Sequence, residues 1–294
     1  MQSGSDLRVV TVSERTLPGF QGIRSSPVGG GPPVPLGHPR TAERGSPAIV
    51  PSMEATLSEP LIDPRAARPP VHARWLGRID YREAYALQKR LVDGRAASEI
   101  ADQLVLLEHP AVLTLGKNSD PAHILAGEDE LSAKGITVER IERGGEVTYH
   151  GPGQLVAYPI MRLHERGLLV RPFVRALEAA MVDTCAQLGV AATRRDGHPG
   201  CWCGQDSVSP RKIGALGLRI ERGVSYHGIA LNINVDLDDF ALIDACGMPG
   251  VESTSIAREL GRQELPSTTS VEEAAWIFAR SFASAIDAPL VAEA

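Results

Sequence analysis

The sequence predicts an α+β domain: one mixed β-sheet flanked by helices. Strand-like and helix-like stretches follow one another without the regular βαβ rhythm of a doubly wound sheet. Two helices announce themselves by N-terminal capping signatures, and Glu221-Arg222-Gly223 between two apolar runs reads as a hairpin turn.

The elements follow in order. Asp80-Tyr81-Arg82-Glu83 is a capping box, with Asp80 as N-cap and Glu83 reaching back. The helix it opens is expected to run to about Val92 and stop before Gly94. Gln103–Glu108, Ala111–Leu115, Thr137–Ile141 and Leu155–Met161 read as strands. Pro172–Leu188 reads as a helix, with Pro172 in its first turn and Gly189 at its stop. Phe173, Val174, Leu177, Met181, Cys185 and Leu188 share one face of it. Lys212–Ile220 and Val224–Val235 form the hairpin strands, and short helices fit Asp238–Ile243 and Thr254–Leu260. A last helix spans Val271–Ile286, capped by Ser270 with Glu273.

Residues 1–72 differ from residues 73–294. They hold 12 of the 22 prolines and a single aromatic residue, Phe20, so little apolar surface offsets the entropy of ordering. We expect a disordered extension ahead of one catalytic-sized domain that begins near Trp75. Glu14, Glu43, Glu54 and Glu59 argue against a transit peptide, which is acid-poor. An over-extended start is the other reading, since Met53 lies nearer the domain.

Composition narrows function. The chain is 43% hydrophobic and 22% charged, as ordinary globular proteins are. A formal net charge of −6 disfavours nonspecific nucleic-acid binding, which draws on basic surface. No apolar run reaches the length of a membrane span or an export signal, so a reducing cytoplasm with free thiols is expected. Cys185 sits on a helical apolar face and reads as core. Cys201-Trp202-Cys203 with His198 lacks zinc-ligand spacing and a second cysteine pair, so no metal is expected. Trp202 reads as packing or as pocket lining, and His109 beside Pro110 as structural.

The most informative stretch is Arg143-Gly144-Gly145-Glu146-Val147-Thr148-Tyr149-His150-Gly151-Pro152-Gly153-Gln154-Leu155. Paired glycines let backbone amides approach a ligand, Arg143 could bind an anion or anchor a loop, and His150 could line a pocket. A tight turn with a charged rim is the alternative. No Gly-Lys-Ser/Thr follows, so it is not a P-loop, nor is it a dinucleotide fingerprint.

Arg-Gly-Gly-x-x-Thr-Tyr-His-Gly-Pro-Gly-Gln-Leu at 143–155 resembles the signature of the lipoyl(octanoyl) transferase family. Further blocks occur in the expected order: Glu108-His109-Pro110, Lys212 to Arg219, His227 to Asn232, and Ala245-Cys246-Gly247. The resemblance covers about residues 74–264. It implies the catalytic fold shared with biotin and lipoate protein ligases. It also implies transfer of octanoyl from acyl carrier protein to a lysine of lipoyl domains, such as those of glycine cleavage H protein and 2-oxoacid dehydrogenase E2 subunits. By the same resemblance Cys246 falls on the nucleophile and Lys212 on the catalytic lysine. Arg143 to His150, Ala215, Leu216, Gly217, Gly228, Ile229 and Ala230 fall on the acyl-substrate contacts. The family carries proline where this chain has Ala245, which is expected to loosen the cysteine loop.

The chemistry suits these residue types. A thiolate is both nucleophile and leaving group, but a free cysteine with a pKa of ~8.5 is mostly thiol at neutral pH. A lysine ammonium alongside favours the thiolate, and a lysine can serve as the base for the incoming amine, where arginine cannot. We expect amides near Leu216 and Gly217 to stabilise the oxyanion, and small residues such as Gly145, Gly228 and Ala230 to leave room for the acyl tail. Arg143, Arg194 and Arg195 are expected to guide acidic partners. The thioester is already activated, so no cofactor is needed. Two rivals remain. An ATP-dependent lipoate or biotin ligase would carry nucleotide motifs such as Gly-Arg-Gly-Arg, absent here. A noncatalytic carrier-binding module would not need both Cys246 and Lys212.

Overall fold

The computed structural model describes residues 68–117, 119–204, 209–244, 251–261 and 270–293. In chain order the elements are β1 (Val71–Arg78), α1 (Tyr81–Ala96), β2 (Asp102–Glu108), β3 (Val112–Leu115), α2 (Glu128–Ala133), β4 (Thr137–Arg140), β5 (Thr148–His150), β6 (Gln154–Ile160), α3 (Val170–Gln187), β7 (Thr193–Arg195), β8 (His198–Cys203), β9 (Arg211–Glu221), β10 (Val224–Asn232), α4 (Ile256–Glu259), α5 (Val271–Ala285) and β11 (Leu290–Glu293). Eight strands form one sheet in the order β11-β1-β2-β6-β10-β9-β8-β7, and three form another, β4-β3-β5. In the large sheet β11, β1 and β2 run parallel to one another, and the remaining pairs are antiparallel. The sheet is mixed, as the sequence predicts.

β2, β6 and β10 are buried almost throughout because both sheet faces are covered. On one face Phe173, Leu177 and Met181 of α3 and Phe278 and Phe282 of α5 pack against Leu104, Leu155, Ile229 and Leu231. On the other, Ala84 and Val92 of α1 pack against Val105, Val156 and Tyr226. The small sheet makes a separate apolar cluster around Leu113, Leu115, Val147 and Tyr149.

Asp80 caps α1, accepting from the amides of Arg82 at 2.8 Å and Glu83 at 3.4 Å. The helix does not stop before Gly94 but runs to Ala96. Its last turn is held by tertiary contacts: buried Arg95 donates to Asp102 at 2.6 Å and to Glu165. β10 ends three residues earlier than expected, because the amides of Ile233 and Asn234 turn to the Gly153 carbonyl instead of a strand partner. β1 begins at Val71, ahead of the expected domain start near Trp75 and inside the expected 1–72 tail. Residues 1–67 lie outside the described residues, as do residues 205–208. No helix among the described residues is long and apolar enough to cross a membrane.

Candidate active site

A narrow cleft with a cavity of about 60 Å³, partly open to solvent, lies where β9 and β10 meet the 143–150 segment. Ala215 lies opposite Ala230 and Gly217 opposite Gly228 in the β9–β10 register, so this part of the sheet carries little side-chain bulk.

The signature loop is wedged against the sheet by contacts that need glycine. A Cβ on Gly217 would lie 2.7 Å from the Gly144 carbonyl oxygen, and one on Gly116, just after β3, would lie 2.0 Å from the Gly145 oxygen. The Gly144 amide donates to the Leu218 carbonyl at 3.2 Å. Arg143 clamps the far side: its guanidinium donates to the Thr114 carbonyl at 2.6 Å, the Thr114 hydroxyl at 2.9 Å and the Gly144 carbonyl at 3.0 Å. Arg143 is therefore a loop anchor that also lines the cleft, and at 8% exposed it is too buried to guide a docking partner. Arg194 is exposed and Arg195 half-buried. Arg143→Met should leave the Thr114 and Gly144 carbonyls short of donors and cost about 2–3 kcal/mol. Urea unfolding of the variant checks this, and a loss under 1 kcal/mol would contradict the clamp.

Of the expected substrate contacts, Arg143, Gly145, Glu146, Val147, Thr148, His150, Ala215, Leu216, Gly217, Gly228, Ile229 and Ala230 line the cleft. Gly144 and Tyr149 do not. Strand alternation turns Tyr149 away from Thr148 and His150, and its hydroxyl donates to Asp239 at 2.7 Å. Leu216 and Ile229 send their side chains into the α3–α5 core and offer the cleft backbone only. Gly228 does not make acyl space as expected: a Cβ there would point at the Ala157 carbonyl oxygen of β6, 1.9 Å away. The expected oxyanion donors also separate. The Leu218 carbonyl faces the Gly144 amide, away from β10, so alternation turns the Leu216 amide outward and the Gly217 amide toward β10.

Tyr81, Val156, Tyr158 and His227 also line the cleft. Val156 and Tyr158 follow from the signature: counted in twos from Gln154, they share one face of β6. The Gly228-Ile229-Ala230-Leu231-Asn232 run beside His227 points to a site-lining role for it as readily as to an ordinary strand histidine, whereas Tyr81 has no such signal. His227 holds φ = 55° inside a strand and stacks on Tyr226 at 4.7 Å.

Two buried histidines, His150 and His227, line this cleft, and a third, His109, is buried with its ring 5.8 Å from that of His150. His150 donates through Nδ1 to Gln154 Oε1 at 2.7 Å, an orientation set by Gln154 Nε2, which donates to Asn232 Oδ1 at 2.9 Å. Asn232 donates in turn to the Thr254 carbonyl at 2.9 Å. His109 donates through Nδ1 to the Ile79 carbonyl and accepts from the Tyr158 hydroxyl through Nε2, both at 2.8 Å. Burial lowers His109 to about 4 and His150 and His227 to about 3. In the unfolded chain they take up protons near pH 6.5. Between those values the unfolded state binds more protons, so their contribution is complete above pH 6.5 and is lost as pH falls toward 4. The loss is on the order of 1.4 kcal/mol per pH unit per histidine. Urea midpoints between pH 7.5 and 5 should drop accordingly; a flat series would contradict neutral burial.

Lys212 stands at the start of β9, held through its backbone. Its amide donates to the Glu252 carbonyl at 2.8 Å and its carbonyl accepts from Thr254 at 2.9 Å. Its Nζ lies 5.2 Å from the centroid of the Trp202 ring. Cys246 lies outside the described residues, as does Ala245. On the near side of that segment the Asp244 amide donates to the His123 carbonyl at 2.8 Å. Cys185, Cys201 and Cys203 are free and buried, with Cys185 and Cys201 sulfurs 4.0 Å apart. The neighbouring thiol and burial push Cys201 up, and burial pushes Cys203 up to about 12, so neither supplies a thiolate. Among the described residues no group of three or more His, Cys, Asp or Glu could hold a metal.

Comparisons with known proteins converge on one family. Residues 80–283 match the lipoyl protein ligase A/B catalytic domain. An octanoyltransferase of Acidobacterium capsulatum is 43% identical over 216 residues, covering 70% of this chain and 88% of that protein. One of Syntrophobacter fumaroxidans is 44% identical over 187 residues, covering 64% of this chain and 80% of that protein. Among solved structures, the bipartite lipoate protein ligase of Thermoplasma acidophilum superposes with a TM-score of 0.55 at 14% identity, covering 77% of this chain and 87% of that one; this likeness concerns the fold.

Proposed function

We propose, from the premise that this chain belongs to the octanoyltransferases of the lipoyl protein ligase A/B catalytic-domain family, a two-step transfer through Cys246. The chain transfers octanoyl groups in lipoate biosynthesis. The donor is the octanoyl thioester of acyl carrier protein. The acceptors are lysines of lipoyl domains, those of glycine cleavage H protein and 2-oxoacid dehydrogenase E2 subunits, in the cytoplasm.

In the first step the Cys246 thiolate attacks the thioester carbonyl, the carrier sulfur leaves and takes the Lys212 ammonium proton to become the free thiol, and an octanoyl-Cys246 thioester and a neutral Lys212 remain. In the second the lysine amine of the lipoyl domain attacks that carbonyl. The neutral Lys212 takes the amine proton, the carbon–sulfur bond breaks, and the amide, the Cys246 thiolate and the Lys212 ammonium result. The octanoyl tail occupies the cleft between β9, β10 and the 143–150 loop, and the outward Leu216 amide meets the oxyanion of each tetrahedral intermediate. The observation that carries this reading is a cleft lined by Ala215, on the strand that also holds Lys212, and by Ala230 opposite it on β10.

Intact mass after mixing with octanoyl-acyl carrier protein, without ATP, tests it. An octanoyl gain on Cys246 that disappears on adding unmodified lipoyl domain is expected. Modification that requires ATP and free octanoate would replace this reading with a ligase, and no modification under either condition would reduce the chain to a binding module.

A further inference from the structure

Trp202 is the one aromatic ring that Lys212 meets among the described residues, and it is held in a way that packing alone does not demand. It is fully buried in β8, one strand from Lys212, and lines no part of the cleft. Its indole N–H donates to the His198 carbonyl at 3.0 Å, and the His198 ring meets it edge-on at 6.2 Å. Those contacts fix the plane of the ring. Two cations then lie near it: Lys212 Nζ at 5.2 Å from the centroid and the Arg195 guanidinium at 5.3 Å. Both distances fall within the range where a ring quadrupole attracts a cation. The lysine stem passes over Gly200, where an added Cβ would come within 3.0 Å of Cε. The glycine in β8 thus leaves the path by which Lys212 reaches the indole.

We propose that Trp202 is a positioning residue for the transfer reaction: its indole face seats the Lys212 ammonium, and through it the charge that favours the Cys246 thiolate. This rests on the roles given above to Lys212 and Cys246. The face of an aromatic ring attracts an ammonium electrostatically and so holds its charge in one place. The Arg195 guanidinium on the same ring adds positive potential without offering a removable proton.

The test is site-specific replacement of Trp202 by mono-, di- and trifluorinated tryptophan. These keep the shape and the N–H while draining negative potential from the ring face. The readout is the single-turnover rate of Cys246 acylation by octanoyl-acyl carrier protein, with the thermal midpoint of each variant. The logarithm of the rate should fall in steps with fluorine number, reaching about ten-fold at the most substituted ring, at constant midpoint. Trp202→Phe should retain part of the rate and Trp202→Leu lose more. A flat fluorine series beside a Cys246→Ser control dead in acylation and a Lys212→Arg control slowed in amide formation overturns the Trp202 role alone. Controls that acylate and transfer normally overturn the reading of Cys246 and Lys212 instead.

Discussion

Gly228→Ala should destabilise the fold by on the order of 4 kcal/mol, a cost reserved for a few kinds of surface-independent defect. The new methyl carbon would lie 1.9 Å from the Ala157 carbonyl oxygen, 3.0 Å from its carbonyl carbon and 2.9 Å from the Pro159 ring. These are backbone and proline atoms, not the free end of a side chain. Ala157 cannot retreat, since it is paired with Leu106 on one side and Ile229 on the other. The same substitution at Gly94 should do the reverse. There a Cβ meets only Ile100, at an ordinary 3.5 Å, and the position is helical. Alanine in a helix gains roughly 0.5–1 kcal/mol over glycine. Urea denaturation of the two variants side by side decides the matter. A Gly228→Ala protein within about 1 kcal/mol of the parent would show that β6 yields where the sheet says it cannot.

Lys212→Arg should divide the reaction in two. Arginine keeps a positive charge near the nucleophile, so octanoyl-Cys246 should still form. It cannot accept the proton of the attacking amine, so amide formation should slow by about 100-fold or more. The acyl-enzyme should therefore accumulate in the variant and not in the parent. Cys246→Ser should fail earlier, at the first step, with no thioester formed. Rapid quench followed by intact mass separates these outcomes. Normal amide formation by Lys212→Arg would remove the lysine from its role as base.

What could be read from the sequence is what local chemistry decides. Asp80 and Ser270 announce their helices because their side chains accept amides from the next turn; Ser270 takes the Glu273 amide at 3.0 Å. The signature at 143–155 and the blocks at 212–219 and 227–232 together placed most of the cleft, since twelve of the fourteen expected contacts line it. The failures have long-range causes. β11 pairs with β1 across more than 200 residues, and nothing in Leu290–Glu293 names that partner. β8 contains Pro199 and Gly200, which weaken any strand signal, and is fixed by pairing with β9. Tyr81 could be read as the first residue of a helix but not as a wall of the cleft. His227 adopts a left-handed backbone in the middle of β10, where an apolar strand pattern gives no sign of it.

The pairing of β1 with β11 also sets how the domain answers to mechanical force. The two strands run side by side in the same direction, with Val71 level with Leu290 and Arg74 level with Glu293. A pull on the chain ahead of Val71 against the chain at Glu293 draws the strands past each other along their length. Every hydrogen bond of that ladder is then loaded at once in shear, where a hairpin pulled at its open end would unzip one rung at a time. The seam that closes the edge of the sheet is thus oriented to resist tension applied through its two ends.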